Sequence, residues 1–332
     1  MRKPVLLVCA VFACGLLAAC GSLAPAREGL WEELGLAPDQ AVAAADDREI
    51  SAGLYLYWLT EITDGIRQYY SEEGQEPDWS ATVEEGVTLG QYAKEQALES
   101  AAVYATVENW AQRYDCDLTE ADRAEAAQAW NDTAAEHGGE DTYLAVLAQK
   151  GLDEAGGRRM AEDHILYQKL CDLALEEGSG LWEETADLAE FYTQRGYVTV
   201  DLVEFSADGA EEAAALFGRI NESADPVAEL AGIRQERGQS GWPRTLLPGD
   251  GSLPDAYAQA AASLSPGQIS GVVEGPEGFA ILARLEDDCE AVRLELMDHR
   301  LLESARNAAV EVSQSYQELD VETFCAALDA LR

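Results

Sequence analysis

Residues 253–286, LPDAYAQAAASLSPGQISGVVEGPEGFAILARLE, restrict the fold more than any other stretch of the chain. A helical run ends at Leu264, and Pro266-Gly267 follows as a turn before Ile269-Ser270. Two short apolar strands are predicted around 271–273 and 279–285. Gly275-Pro276-Glu277-Gly278 between them suits a tight hairpin. Upstream, Val198 to Phe205 (VTVDLVEF) alternates and is rich in β-branched residues, which predicts a strand. Segments 210–218 and 226–234 read as helices, the first behind Ser206-Ala207-Asp208-Gly209, which offers capping side chains. A second strand and its glycine-rich turn are expected within 238–247. Strands and helices mixed in this way, beside long helical stretches, predict an α+β fold.

The end of this stretch resembles the C-terminal half of a parvulin-type peptidyl-prolyl isomerase. In that family a helix leads into Leu-x-x-Gly-x-x-Ser, matched here by Leu264, Gly267 and Ser270. The family's last strand opens with Gly, an apolar residue, His and two aliphatics. Here Gly278, Phe279, Ile281 and Leu282 fit, and Ala280 stands in the place of the His. The family's first strand usually carries a second His, where this chain has Asp201, Leu202 and Val203. The resemblance covers roughly 196–288.

It implies catalysis of rotation about X–Pro bonds. That rotation faces a barrier of roughly 18–20 kcal/mol and takes tens to hundreds of seconds unaided. A catalyst needs an apolar pocket for the ring and polar groups that favour a twisted amide, with no nucleophile, metal or cofactor. By resemblance the pocket falls on Leu253 and Tyr257, with Leu246 or Leu247 as a third wall and Phe279 beside them. The polar cluster is not recovered, because Asp201 and Ala280 occupy the histidine positions. These two are read as degenerate catalytic positions, and a competing reading, favoured by the Tyr257 hydroxyl's need for a partner in a dry pocket, makes Leu253, Tyr257 and Phe279 ordinary core.

The N-terminus carries Met1-Arg2-Lys3, then an apolar run from Val5 to Leu17 of signal-peptide length. Leu17-Ala18-Ala19-Cys20 matches a bacterial lipobox, so Cys20 is the expected lipidation site and first mature residue. The chain has 22 Lys+Arg against 63 Asp+Glu, a formal charge of -41. Such a surface repels nucleic acid and anionic lipid. Cys116, Cys171, Cys289 and Cys325 remain after the leader, and four cysteines allow three pairings. They form no CxxC, and His137, His164 and His299 are scattered, so no metal site is expected.

Between leader and isomerase-like segment the pattern is mostly helical, with no strand expected. Ile50, Leu54, Tyr57, Trp58 and Ile62 recur at helical spacing, and Leu89 to Arg113 is a second long helix. Thr119-Glu120-Ala121-Asp122 marks a helix start, and Gly138-Gly139 a stop near His137. The order Gly138-Gly139, Tyr143, Leu147, Gly151-Leu152, then Leu188, Phe191 and Tyr192 before a strand resembles the chaperone region of PrsA- and SurA-type extracytoplasmic foldases. In that family a C-terminal helix, here sought over 291–315, folds back onto the N-terminal region.

The expected organisation is a signal peptide over 1–19, a tether over 20–45 and a helical chaperone-like domain over 46–195. A parvulin-like domain over 196–288 and a C-terminal helix over 289–332 complete it. The resemblance implies a lipid-anchored extracytoplasmic foldase whose partners are unfolded exported polypeptides, with weak or absent isomerase activity. It leaves room for a homodimer. An active isomerase and a non-catalytic envelope scaffold are the alternative readings.

Overall fold

In the computed structural model, residues 29–332 are described; the expected leader and Cys20 lie outside the described residues. The fold is α+β, and the chain forms two compact units. One comprises residues up to Trp182 together with Met297–Arg332, the other Glu183–Leu296.

After a helical turn at Leu30–Glu33, the first unit forms a hairpin of β1 (Ala41–Ala45) and β2 (Arg48–Ser51). Asp46 and Asp47 turn it with positive φ at both positions, the backbone that a two-residue hairpin requires. This corrects the expectation of a tether to 45 and of no strand in this half. Val42, Ala43 and Ala45 are buried in the core, and alanine-rich strands carry little local strand signal. A second hairpin pairs β3 (Thr82–Glu84) with β4 (Val87–Thr88).

Helices α1 (Ala52–Glu72) and α2 (Leu89–Arg113) form the centre of the unit. Buried Ala93, Ala97, Ala101 and Ala105 recur every four residues along α2. Small side chains in one row let another helix approach closely. Thr88 caps α2 by a reciprocal box with Gln91, and Thr119 caps α3 (Glu120–Glu136) with Asp122, as its sequence predicts. Helices α4 (Glu140–Gln149) and α5 (Glu154–Leu175) follow.

The second unit begins with α6 (Leu188–Arg195) and strand β5 (Val198–Ser206). Helices α7 (Ala210–Glu222) and α8 (Pro226–Glu236) precede the short strand β6 (Arg244–Leu246). Helix α9 (Asp255–Ser263) leads to the hairpin of β7 (Val273–Gly275) and β8 (Gly278–Arg284). The sheet is antiparallel in the order β6-β5-β8-β7. The unit is wider than the 196–288 read from sequence. Leu188, Phe191 and Tyr192 of α6 pack with Val292 and Leu296 in a cluster of its own.

Helix α10 (Arg293–Asn307) then leads to β9 (Val310–Val312) and α11 (Val321–Leu331). The stretch 291–315, expected to be one helix, therefore breaks: β9 pairs with β1 to give a sheet of order β2-β1-β9. Phe324 and Leu328 of α11 are fully buried in the first unit's core. Arg67 grips Asp329 through two bonds of 2.7 and 2.9 Å, and Arg332 pairs with Asp64. Cys116, Cys171, Cys289 and Cys325 are free thiols. Among the described residues no helix is long and apolar enough to cross a membrane.

Candidate functional site

The second unit's sheet has two differently furnished faces. Strand residues alternate between faces, and the register places Glu204 opposite Ala280, Leu202 opposite Leu282 and Val200 opposite Arg284. On this face Val198, Val200, Leu202, Leu246, Ala280 and Leu282 pack against Leu253 and against Tyr257, Ala258 and Ala261 of α9. On the other face Val203, Phe205, Ile281 and Ala283 pack against α7 and α8.

Four of the expected site residues therefore meet: Leu246, Leu253, Tyr257 and Ala280 share one cluster. Phe279 does not join them; it packs with the α7 and α8 layer. Leu247 lies at a different cluster, beside α6. Asp201 also faces away. It stands opposite Ala283 in the register, and its carboxylate lies 2.8 Å from Arg234 Nε of α8. The Leu202 amide donates to the same carboxylate at 2.9 Å. Burial pushes the Asp201 carboxyl up, and Arg234 and these bonds oppose the shift. Asp201 and Ala280 are thus on opposite sides of one sheet.

Apolar walls and polar rim differ in character. Leu253 and Tyr257 are 7% and 5% exposed, so the pocket side chains are core-like. The Tyr257 ring lies on the backbone of β7: a Cβ on Gly275 would sit 2.6 Å from its hydroxyl oxygen. At Gly278 a Cβ would collide with the Phe205 carbonyl, which fixes glycine at the start of β8. Burial raises the Tyr257 hydroxyl's pKa, and the nearby charges of Glu204 and Glu277 add to it. Glu204 was not singled out from sequence, although a strand register would have placed it across from Ala280. Its backbone N–H donates to Gln239 Oε1 at 3.0 Å, and its carbonyl accepts from Gln239 Nε2 at 2.7 Å.

At the sheet's other end a buried polar network ties helix to strands. Tyr192 and Thr199 hydroxyls lie 2.9 Å apart, and Thr199 and Thr245 hydroxyls 2.8 Å. Arg284 donates to the Tyr192 hydroxyl, the Thr199 carbonyl and Asp287. This fixes the frame on which the apolar face is built.

The chemistry available follows from these side chains. No His occurs between 183 and 296, and Cys289, the one Cys there, packs at the α6 cluster. The Tyr257 hydroxyl and the Glu204 carboxylate lie on this face, and Arg244, opposite Val200, lies on it at the sheet edge with its guanidinium over Trp242. No imidazole is among them, and Arg284, also on this face, is engaged with the Thr199 carbonyl and Asp287. Among the described residues, no group of three His, Cys, Asp or Glu is placed to hold a metal ion.

With this geometry in view, residues 185–288 match the family model described as the PPIC-type PPIASE domain. The second unit therefore carries an isomerase domain of the parvulin type by similarity. Two solved foldases are similar across most of their length. The crystal structure of PrsA from Bacillus subtilis is 15% identical, over 74% of this chain and 87% of that one, with a TM-score of 0.26. The foldase protein PrsA from Lactococcus lactis is 13% identical, over 88% and 99%, with a TM-score of 0.30. A structure from work on SurA-like chaperones of Campylobacter jejuni is 12% identical, over 80% and 92%, with a TM-score of 0.24. Superposition at these levels carries no functional weight, so the domain match is the comparison that bears on function. No curated protein matches the chain.

Proposed function

We propose that this protein is a membrane-anchored extracytoplasmic foldase. It holds unfolded exported polypeptides and carries a parvulin-type domain whose isomerase activity is weak or absent. The carrying observation is the domain match over 185–288 in a unit with no His, whose site face presents Ala280, Tyr257 and Glu204. Holding of clients is assigned to the first unit. Tyr69, Val83 and Tyr92 are exposed there, and apolar side chains in water favour contact with other apolar chains. A cavity of about 550 Å³ is lined by Arg67, Pro77, Trp79 and Asp329 among others. The anchor is assigned to Cys20, on Leu17-Ala18-Ala19-Cys20 behind a charged and apolar leader.

An active isomerase is the second reading. It is supported by the apolar quartet Leu246, Leu253, Tyr257 and Ala280 on one face, where a pocket alone would have to suffice.

One experiment separates the two. The full chain is added to a refolding protein limited by proline isomerisation, and to an unrelated unfolded protein that aggregates. The expected result is suppression of aggregation, with a refolding rate at least ~100-fold below that of a parvulin carrying both His, on the scale of polar catalysis. A rate near that parvulin's selects the active isomerase, and unhindered aggregation removes the foldase reading. Loss of lipid labelling in Cys20→Ala tests the anchor.

A further inference from the structure

The three-stranded sheet of the first unit ends in an unpaired strand. Its order is β2-β1-β9, so β9 has a partner on one side among the described residues. The register fixes which backbone groups point outward. Asp46 N–H donates to the Ala309 carbonyl, and Ser313 N–H donates to the Val42 carbonyl. Residues 309 and 313 therefore bond inward, and alternation along an antiparallel ladder makes Glu311, opposite Ala44, the inward residue between them. The N–H and C=O groups of Val310 and Val312 then point away from β1, toward solvent.

The side chains at this edge are as specific as the backbone. Val310 lies opposite Ala45 and Val312 opposite Ala43, and residues directly opposite share a face. Ala45 and Ala43 are buried, whereas Val310 and Val312 are 41% and 36% exposed. The apolar face of the sheet thus runs past its last covered strand. On the other face Glu49, Ala44 and Glu311 lie in one row across the three strands. Both glutamates are exposed, and the chain as a whole carries a charge of -41. An exposed strand edge of this kind is a template for another strand.

We propose that the free edge of β9 is a docking site for an extended segment of unfolded polypeptide in which apolar side chains alternate with basic ones. The added strand would satisfy the outward amides and carbonyls of Val310 and Val312. Its apolar side chains would cover the two valines, and its basic ones would face the row of Glu49 and Glu311. Main-chain pairing supplies affinity and alternate side chains supply selection. This rests on the foldase reading and gives that activity an address and a preferred client chemistry.

The test uses the full chain and a labelled ten-residue peptide alternating valine and lysine, read by fluorescence anisotropy. A peptide alternating valine and glutamate is the comparison. Val312→Pro deletes one outward N–H and leaves the inward bonds of 309, 311 and 313, a position where an edge strand tolerates proline. Glu311→Lys cancels the net charge of the Glu49–Glu311 row and puts a cation at the edge without touching the ladder. The expected result is about tenfold weaker binding of the valine–lysine peptide to Val312→Pro, with unchanged circular dichroism. Glu311→Lys should move preference toward the valine–glutamate peptide. Binding by both variants equal to the unsubstituted chain overturns the proposal. So does a dimer in sedimentation that Val312→Pro dissociates, since the edge then serves a second copy. Aggregation suppression is measured alongside. A chain that suppresses aggregation but binds neither peptide loses this edge and keeps the foldase reading. A chain that binds the valine–lysine peptide at β9 yet suppresses nothing keeps the edge and loses that reading.

Discussion

Arg293 Nη1 donates to Thr185 Oγ1 over 2.8 Å, joining residues 108 positions apart where the chain enters and leaves the second unit. Arg293 is buried, and it also reaches the Thr185 carbonyl and Glu290. This buried guanidinium ties together the same two stretches that pack through Leu188, Tyr192, Val292 and Leu296.

Removing that clasp should loosen the second unit. Arg293→Met keeps the aliphatic stem and loses the donors, leaving Thr185 partly unsatisfied in a buried place. The expected cost is about 2–3 kcal/mol, seen as a lower urea midpoint for this unit. Urea profiles of variant and unsubstituted chain that coincide would show that the clasp contributes nothing.

Asp201 should matter for stability and not for proline chemistry. Asp201→Ala leaves Arg234 buried without its carboxylate, a loss of about 3 kcal/mol. The carboxylate lies across the sheet from Ala280, so the refolding catalysis per folded molecule should not change. A fall in catalysis at full folding would place Asp201 in the site after all.

A pH dependence is built into the first unit. Asp163 of α5 is 3% exposed and bonded to Glu108 of α2. Arg159 lies 2.6 Å from Glu108, and Arg48 of β2 lies 3.4 Å from it. Burial first, then Glu108, pushes the Asp163 carboxyl well above its ordinary value of 3.8, with Arg159 opposing. At pH values between the unfolded and the raised folded value, the folded chain holds a proton that the unfolded chain has released. This stabilisation is complete below the unfolded value and is lost as pH rises through the folded one. Thermal midpoints should fall more steeply with rising pH in the unsubstituted chain than in Asp163→Asn, whose amide still donates to Glu108. Parallel profiles for the two proteins would remove Asp163 as the cause.

The C-terminal segment should be part of the first unit's stability. Phe324→Ala is expected to cost about 3–5 kcal/mol, since Phe324 is fully buried and its loss opens a cavity. Equilibrium urea unfolding followed by tryptophan fluorescence measures it, and a loss under ~1 kcal/mol would mean that α11 packs loosely.

Local signals were legible in the sequence, and long-range ones were not. The box of Thr119 and Asp122 is four residues long, so its helix start could be read directly. Gly278 and the hairpin before it were equally local. The parity of β5 is ambiguous, because its alternation reverses after Leu202, where Val203 and Phe205 are apolar and Glu204 is not, and a shift of one residue exchanges faces. That is why Asp201 and Phe279 were grouped with residues from which the sheet separates them. Strand β9 pairs with β1 across more than 260 positions, and nothing in Val310-Glu311-Val312 alone announces that partner.

The first unit is discontinuous in sequence, with 183–296 placed between its parts. Its sheet lacks β9, and its core lacks Phe324, until residues 310–324, which follow the second unit, have been made. A chain that emerges from its N-terminus during synthesis or export therefore has all of its second unit available before the first can close. In such a chain, folding of the larger unit is timed by the release of the segment that follows the second unit.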